Sequence, residues 1–218
     1  LPIKPVLRAF FNPNLESTWF QAVMSLIENI TLISIVLVGA AVIREREHGT
    51  IEHLLVMPLR ASEIACAKIW ASGLAVLVAA GLSLVFIIRI ILQVPIQGSI
   101  PLFLLGTALY LFATTSLGIL LATIANSMPQ LGLLVMPVFL ILTMLSGSTS
   151  PLQTMPTALQ IAVQASPTVH FVKATQAVLY RGAGFDVILP QLLILAALGA
   201  LFLAAALLRF RQMLTRQA

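Results

Sequence analysis

The chain has 218 residues, of which 60% are hydrophobic and only 9% are charged. A soluble domain carries roughly 25% charged residues, so this chain is too poor in charge to cover a water-exposed surface of its own. The composition excludes an ordinary soluble domain and favours a membrane protein, because apolar side chains in lipid need no burial against protein. The net charge of +5 is then expected to report orientation and not nucleic-acid binding.

Five apolar stretches are long enough, or nearly long enough, to cross a bilayer, which takes about 20 helical residues. In chain order they are residues 23–43, 69–88, 102–124, 131–145 and 188–210. The fourth stretch is short and contains Pro137, so it is predicted to be kinked or re-entrant. The predicted fold class is therefore an all-α integral membrane domain with about five transmembrane helices.

The residues around these stretches define the predicted domains. Residues 1–22 are predicted to be the end of a truncated external domain, and residues 23–218 a transmembrane domain. The chain begins at Leu1 without a signal-peptide pattern, which favours a fragment of a longer protein. In the long connection after the fourth stretch, residues 157–165 and 168–180 are predicted to be external amphipathic helices. They either lie along the membrane surface or dip into it.

Basic residues cluster between the first two stretches and after the fifth. With five crossings in total, four lie between the two clusters, so both clusters fall on the same side of the membrane. The positive-inside rule identifies that side as cytoplasmic. The residues are Arg44, Arg46, Arg60 and Lys68 in the first cluster, and Arg209, Arg211 and Arg216 in the second.

Residues 44–68 form the densest charge cluster of the chain and read REREHGTIEHLLVMPLRASEIACAK. Gly49 is expected to end the first membrane helix, and Thr50 is a suitable N-cap for a short helix over residues 51–57. Pro58 would end that helix. Its apolar residues fall on one face, so the segment is predicted to be a short helix at the cytoplasmic surface.

This segment resembles the first intracellular segment of the type-2 ATP-binding-cassette (ABC-2) transporter permeases, in particular bacterial multidrug-exporter-like membrane subunits. That family typically carries an E-R-E-x-G-T-x-E-x-L-L-x-x-P run followed by a lysine. The matching residues are Glu45, Arg46, Glu47, Gly49, Thr50, Glu52, Leu54, Leu55, Pro58 and Lys68. The resemblance covers nearly the whole chain, but His48 stands where the family commonly has Arg or Lys.

The resemblance implies a permease subunit of an exporter in the bacterial inner (cytoplasmic) membrane, with no catalytic residue, cofactor or metal in this chain. ATP and Mg²⁺ would be bound by a separate ATPase subunit that docks under the predicted surface helix. The motif residues up to Pro58 would then form a cytoplasmic coupling helix and its base. The other implied partners are membrane lipid, a second permease subunit that is identical or paralogous, and in some assemblies a periplasmic adaptor.

Glu28 and Asn29 are candidates for a translocation path. If the first crossing begins at residue 23, Glu28 lies about 7 Å inside the membrane, at 1.5 Å per helical residue. An ionisable group at that depth is a functional candidate. The structural alternative is a carboxylate that reaches headgroup water or pairs with another group. Three glycines, Gly106, Gly118 and Gly132, are expected at helix contacts instead.

Other functions fit the sequence less well. A zinc site at His48 and His53 is disfavoured, because residues five apart on a helix differ by about 140° and do not share a face. The chain contains no GxxxxGK[ST] run, so it is not its own ATPase. A membrane channel or scaffold without ATPase coupling remains the alternative function.

Overall fold

A computed structural model describes residues 17–47, 61–147 and 155–217, and the regular elements in these ranges are all helical. The second helix continues without a break into a π-helix over Ser83–Ile91, and a 3₁₀ turn over Val163–Ala165 follows the fifth. The helices are α1 (Ser17–Glu47), α2 (Ala61–Leu82), α3 (Ile100–Ile124), α4 (Met128–Met144), α5 (Thr157–Ala162), α6 (Pro167–Arg181) and α7 (Phe185–Gln217).

Four of these helices are long and apolar enough to cross a membrane: α1, α2 with its π-helical continuation, α3 and α7. Helix α4 is apolar but has only 17 residues, a length of about 25 Å. The all-α membrane fold is therefore confirmed, including the short fourth stretch. The helices extend beyond the apolar windows, and α1 already begins at Ser17.

Proline and glycine set several helix ends. Pro101, Pro129 and Pro167 lie in the first turns of α3, α4 and α6, where the missing amide proton costs no helical hydrogen bond. Helix α6 ends at Gly182, which has a φ of 61°, a backbone conformation that glycine adopts without steric cost.

Helix α3 lies at the centre of the bundle and packs against α1, α2, α6 and α7. The buried side chains divide into two hydrophobic clusters along its length. One surrounds Tyr110 and Phe103, at the end of the bundle where α1 begins and α6 ends. The other surrounds Ile119 and Ala122, at the end where α1 finishes. We call the end around Ile119 and Ala122 the motif end, because α1 finishes there with the E-R-E run. The end around Tyr110 and Phe103 is the opposite end.

Helices α4 and α6 occupy different halves of the bundle. The buried apolar residues of α4, among them Leu131 and Val135, belong to the cluster at the motif end. Those of α6, among them Phe171 and Val178, belong to the cluster at the opposite end. Nearly all of α6 is buried inside the protein, whereas α5 has no buried residue, and the placement of both helices relative to the membrane stays a prediction.

The glycines expected at helix contacts behave differently from one another. A Cβ atom on Gly118 would lie 2.5 Å from Val38 Cγ1 and 2.7 Å from the Ile35 carbonyl oxygen, so α1 and α3 approach closely there. A Cβ atom on Gly132 would meet no described atom within 4 Å. The expectation is confirmed for Gly118 and wrong for Gly132 within the described structure.

Candidate functional site

The three charged residues Glu45, Arg46 and Glu47 end α1 at the motif end, directly before residues 48–60. Glu45 forms an ion pair with Lys68, whose ammonium donates to Glu45 Oε1. Lys68 lies two turns into α2, so this pair joins the helices on either side of residues 48–60. Both side chains are shielded to some degree, with 13% of the Lys68 side chain and 35% of the Glu45 side chain exposed.

Arg46 contacts the end of α3. Its Nη1 donates to the Ala125 carbonyl oxygen at 2.6 Å, and its Nη2 donates to the Ala122 carbonyl oxygen at 2.6 Å. The last carbonyls of a helix have no partner within the helix and carry the negative end of its dipole. A guanidinium that bonds two of them therefore caps α3. The Arg46 Nε is buried and has no acceptor within the described part of the chain.

Glu47 contacts the start of α4. Its Oε1 accepts a hydrogen bond from the Met128 amide at 3.2 Å. Ser127 occupies the N-cap position of α4, but its hydroxyl makes no capping hydrogen bond. The carboxylate of Glu47 takes over that role, and its charge suits the positive end of the helix dipole. Gln130 adds a second tie at this turn, because its Oε1 accepts from the Asn126 amide at 2.7 Å.

The end of α1 thus reaches three other helices through three consecutive side chains. Consecutive residues on a helix point about 100° apart, so one run can contact helices on different sides. Glu45 reaches α2, Arg46 reaches α3 and Glu47 reaches α4.

A groove of about 560 Å³ lies between α1 and α2, and its wall is mostly apolar. Three polar residues line it: Ser25, Asn29 and Ser83. Asn29 is exposed, and its Nδ2 donates to the Ser25 carbonyl oxygen at 2.8 Å. Part of the wall comes from the π-helix, an arrangement frequent near functional sites.

Glu28 lies one residue before Asn29 but does not line this groove. Its side chain is half-buried. No hydrogen bond or ion pair reaches its carboxylate from residues 17–47, 61–147 and 155–217.

A chain of buried hydroxyl groups connects α1, α3 and α6. The Tyr110 hydroxyl lies 2.5 Å from Thr31 Oγ1 and 3.0 Å from Thr168 Oγ1. One turn along, Ser34 Oγ donates to Thr114 Oγ1 at 2.8 Å. These side chains are at most 1% exposed, so the hydroxyl groups satisfy one another where water has no access.

The family model of the ABC-2 family transporter protein matches residues 2–208, which is most of the chain. The chain belongs to the ABC-2 transporter family. The predicted family is thereby confirmed, and the chain is the membrane permease part of such a transporter. Its long apolar helices make it a multi-pass membrane protein.

Several relatives of this ABC-2 chain come from Escherichia coli. The inner membrane transport permease YhhJ of strain K12 is 60% identical over 205 residues, which are 94% of this chain and 55% of the relative. The probable multidrug ABC transporter permease YbhR of the same strain is 31% identical over 211 residues, 95% of this chain and 56% of the relative. Its counterpart YbhS is 28% identical over 211 residues, 95% of this chain and 55% of the relative. The ABC-2 chain therefore spans about half the length of these relatives.

The structure places part of the predicted ABC-2 coupling site. Glu45, Arg46 and Glu47 lie at the motif end, and only Glu45 contacts Lys68. The other predicted positions lie outside the described residues, so the short helix over residues 51–57 stays a prediction. These positions are Gly49, Thr50, Glu52, Leu54, Leu55 and Pro58.

Two features of the ABC-2 chain were not predicted from its sequence. The hydroxyl chain was not predicted, although Thr107, Tyr110 and Thr114 recur at helical spacing and form a polar stripe on one face of α3. The capping roles of Arg46 and Glu47 were not predicted either. Their partners are backbone atoms, which leave no signature in the sequence of α3 or α4.

Proposed function

We propose that this chain is the membrane-spanning subunit of an ABC exporter, which moves substrate across the inner membrane with ATP hydrolysed by a separate subunit. The chain is a multi-pass protein of that membrane, as the name of its relative YhhJ supports. The ATPase subunit binds ATP and Mg²⁺ and docks on residues 51–58, the docking segment. Its closure moves the docking segment and, through it, α1 and α2.

The observation that carries this proposal is the position of the docking segment in the chain. It belongs to residues 48–60, which connect the end of α1 at Glu47 to the start of α2 at Ala61. The Glu45–Lys68 ion pair joins the two helices at that point. A force on the docking segment would therefore act on two joined membrane helices and not on a free loop. The motif match and the family membership support the same partner.

We infer the substrate class from the groove between α1 and α2. Its apolar wall with few polar groups suits a hydrophobic or amphipathic molecule, with Ser25 and Asn29 available for hydrogen bonds. Two relatives are named probable multidrug permeases, which fits such a substrate. Glu28 and Asn29 lie at the opposite end of α1 and are the proposed polar positions of the translocation path.

We infer the remaining partners from the family resemblance and from the exposed polar residues of α1. Polar residues lie on the exposed side of α1, among them Gln21, Ser25 and Asn29, and they must be shielded from contact with lipid. A second permease subunit, identical or paralogous, provides that cover and completes the path. A periplasmic adaptor could extend the assembly on the outer side.

The experiment that tests the proposal compares two substitutions in and beside the docking segment. The permease is co-expressed with a candidate ABC-type ATPase, purified through the permease, and reconstituted for ATP hydrolysis and ethidium transport. Leu54→Asp places a charge in the apolar contact, where an unpaired buried charge costs several kcal/mol. Arg60→Ala removes a charge at its rim, where an exposed ion pair contributes about 0–1 kcal/mol.

We expect Leu54→Asp to lose the ATPase and transport while the permease stays inserted and folded. Arg60→Ala should keep the complex. A Leu54→Asp variant with full complex and full coupling would refute docking on this segment. Ion flux through the permease without any ATPase would favour the channel alternative instead.

A further inference from the structure

We propose that Arg46 and Glu47 are positioning residues that hold the α3–α4 turn, residues 125–127, on the end of α1. Through this clamp, movement of the docking segment reaches α4 as well as α1 and α2. The inference rests on the proposed function and adds a second route for the movement. It also assigns Arg46 and Glu47 to contacts within the permease and not to the ATPase surface.

The contacts of Arg46 fix the end of α1 to the end of α3. Both Nη atoms are engaged by carbonyl oxygens at 2.6 Å, on either side of the last residue of α3. Hydrogen bonds from a charged group are among the strong ones in proteins, and the fork of the guanidinium fixes direction as well as distance. A guanidinium bound in this way has its donors turned into the bundle, away from a partner that docks from outside.

Glu47 continues the clamp onto the next helix. Its carboxylate accepts a hydrogen bond from the Met128 amide, which lies in the first turn of α4. No other described side chain caps this helix start. Arg46 therefore holds the α3–α4 turn where α3 ends, and Glu47 holds it where α4 begins. Any shift of the end of α1 either carries this turn along or breaks three hydrogen bonds.

Helix α4 makes few contacts with the rest of the bundle besides this clamp. Few of its 17 residues are buried, and residues such as Leu133 and Met144 are 76% and 64% exposed. Its motif end is fixed by the turn and by the packing of Leu131 near Gly39 of α1. A weakly packed helix that is tied to α1 at one end can follow α1 without disrupting the core.

The test uses Arg46→Ala, Glu47→Ala and Glu47→Gln in the complex with the ATPase. Glu47→Gln is the matched variant, because its amide oxygen still accepts from the Met128 amide. Arg209→Ala is the control, since Arg209 is an exposed basic residue near the same end of the bundle. Three quantities are measured. They are the amount of ATPase that co-purifies with the permease, the ethidium transported per ATP hydrolysed, and the hydrogen–deuterium exchange of residues 121–131 in the permease alone.

We expect Arg46→Ala to keep the ATPase but to lower ethidium transport per ATP about tenfold, a size typical of coupling between sites. Exchange of residues 121–131 should rise in the same variant. Glu47→Ala should shift both readouts in the same direction by less, because its bond is exposed. Glu47→Gln should lie between Glu47→Ala and the wild type, because it keeps the acceptor but loses the charge. Arg209→Ala should match the wild type.

Two results would overturn the clamp. If Arg46→Ala released the ATPase, Arg46 would belong to the docking surface. If Arg46→Ala kept the ATPase, full transport and unchanged exchange, the contact would transmit nothing. A wild-type permease that binds no ATPase would instead refute the proposed function. The exchange measurement needs no ATPase, so it separates that failure from a failure of the clamp.

Discussion

At the scale of single residues, the hydroxyl group of Tyr110 connects α1 and α6 through α3. It bonds Thr31 and Thr168, and its ring stacks on Phe171 with centroids 4.2 Å apart. We predict that Tyr110→Phe lowers the stability of the permease by about 1–2 kcal/mol, because the two threonine hydroxyls lose a buried partner while the stacking stays. Thermal unfolding in detergent measures the loss.

Tyr180→Phe is the control for this prediction. The Tyr180 hydroxyl makes one long hydrogen bond, 3.4 Å to the Trp19 carbonyl oxygen, and its ring stacks on Phe20. Its removal should change the unfolding temperature by less than Tyr110→Phe does. Equal losses in the two variants would show that the hydroxyl chain contributes nothing beyond an ordinary tyrosine.

The residues of the candidate site were predictable only in part. The motif indicated that Glu45, Arg46 and Glu47 matter, because their order and spacing match the ABC-2 family. Their partners were beyond reach from the sequence, since Arg46 bonds the backbone of residues 76 and 79 positions away. A backbone carbonyl looks the same at every position, so only the fold shows which one is capped.

At the scale of elements, α1 and α3 meet at Gly118 without room for a side chain. We predict that Gly118→Ala destabilises the permease by about 1–3 kcal/mol, because the added methyl group would overlap Val38 and the Ile35 backbone. The measurement is again thermal unfolding, together with the yield of monodisperse protein.

Gly132→Ala is the matched substitution in α4. No described atom lies within 4 Å of the place that the added methyl group would take, and alanine favours a helix over glycine by about 1 kcal/mol. This variant should be as stable as the wild type or more stable. A loss at Gly132 as large as that at Gly118 would contradict the close contact between α1 and α3.

The elements themselves followed from the sequence more readily than their packing. Each of the five apolar stretches became a helix, because a run of apolar residues in lipid has no other way to satisfy its backbone. The burial of α6 was harder to predict, since its mixture of polar and apolar residues also suits a helix on a membrane surface. Its burial depends on Tyr110, which lies 58 residues before its contact Thr168. A contact that distant has no local signal.

At the scale of the whole molecule, we predict that residues 48–60 and the end of α7 lie on the cytoplasmic side. The basic clusters at both places and the direction of α1 and α7 in the bundle motivate this orientation. Single cysteines at His48 and Arg216, in a Cys66→Ser background, should react with a membrane-impermeant maleimide only in inside-out vesicles. Labelling of both positions in intact cells would reverse the orientation and remove the docking model.

The central claim is that this ABC-2 permease receives its ATPase at the docking segment. The most direct test places the photo-crosslinking residue p-benzoylphenylalanine at position 54 and, as control, at Leu133, an exposed apolar position of α4. After irradiation of cell membranes, position 54 should give one covalent product that contains the permease and an ABC-type ATPase, identified by mass spectrometry, and position 133 should not. The absence of this product at position 54, or its appearance at both positions, would contradict the account.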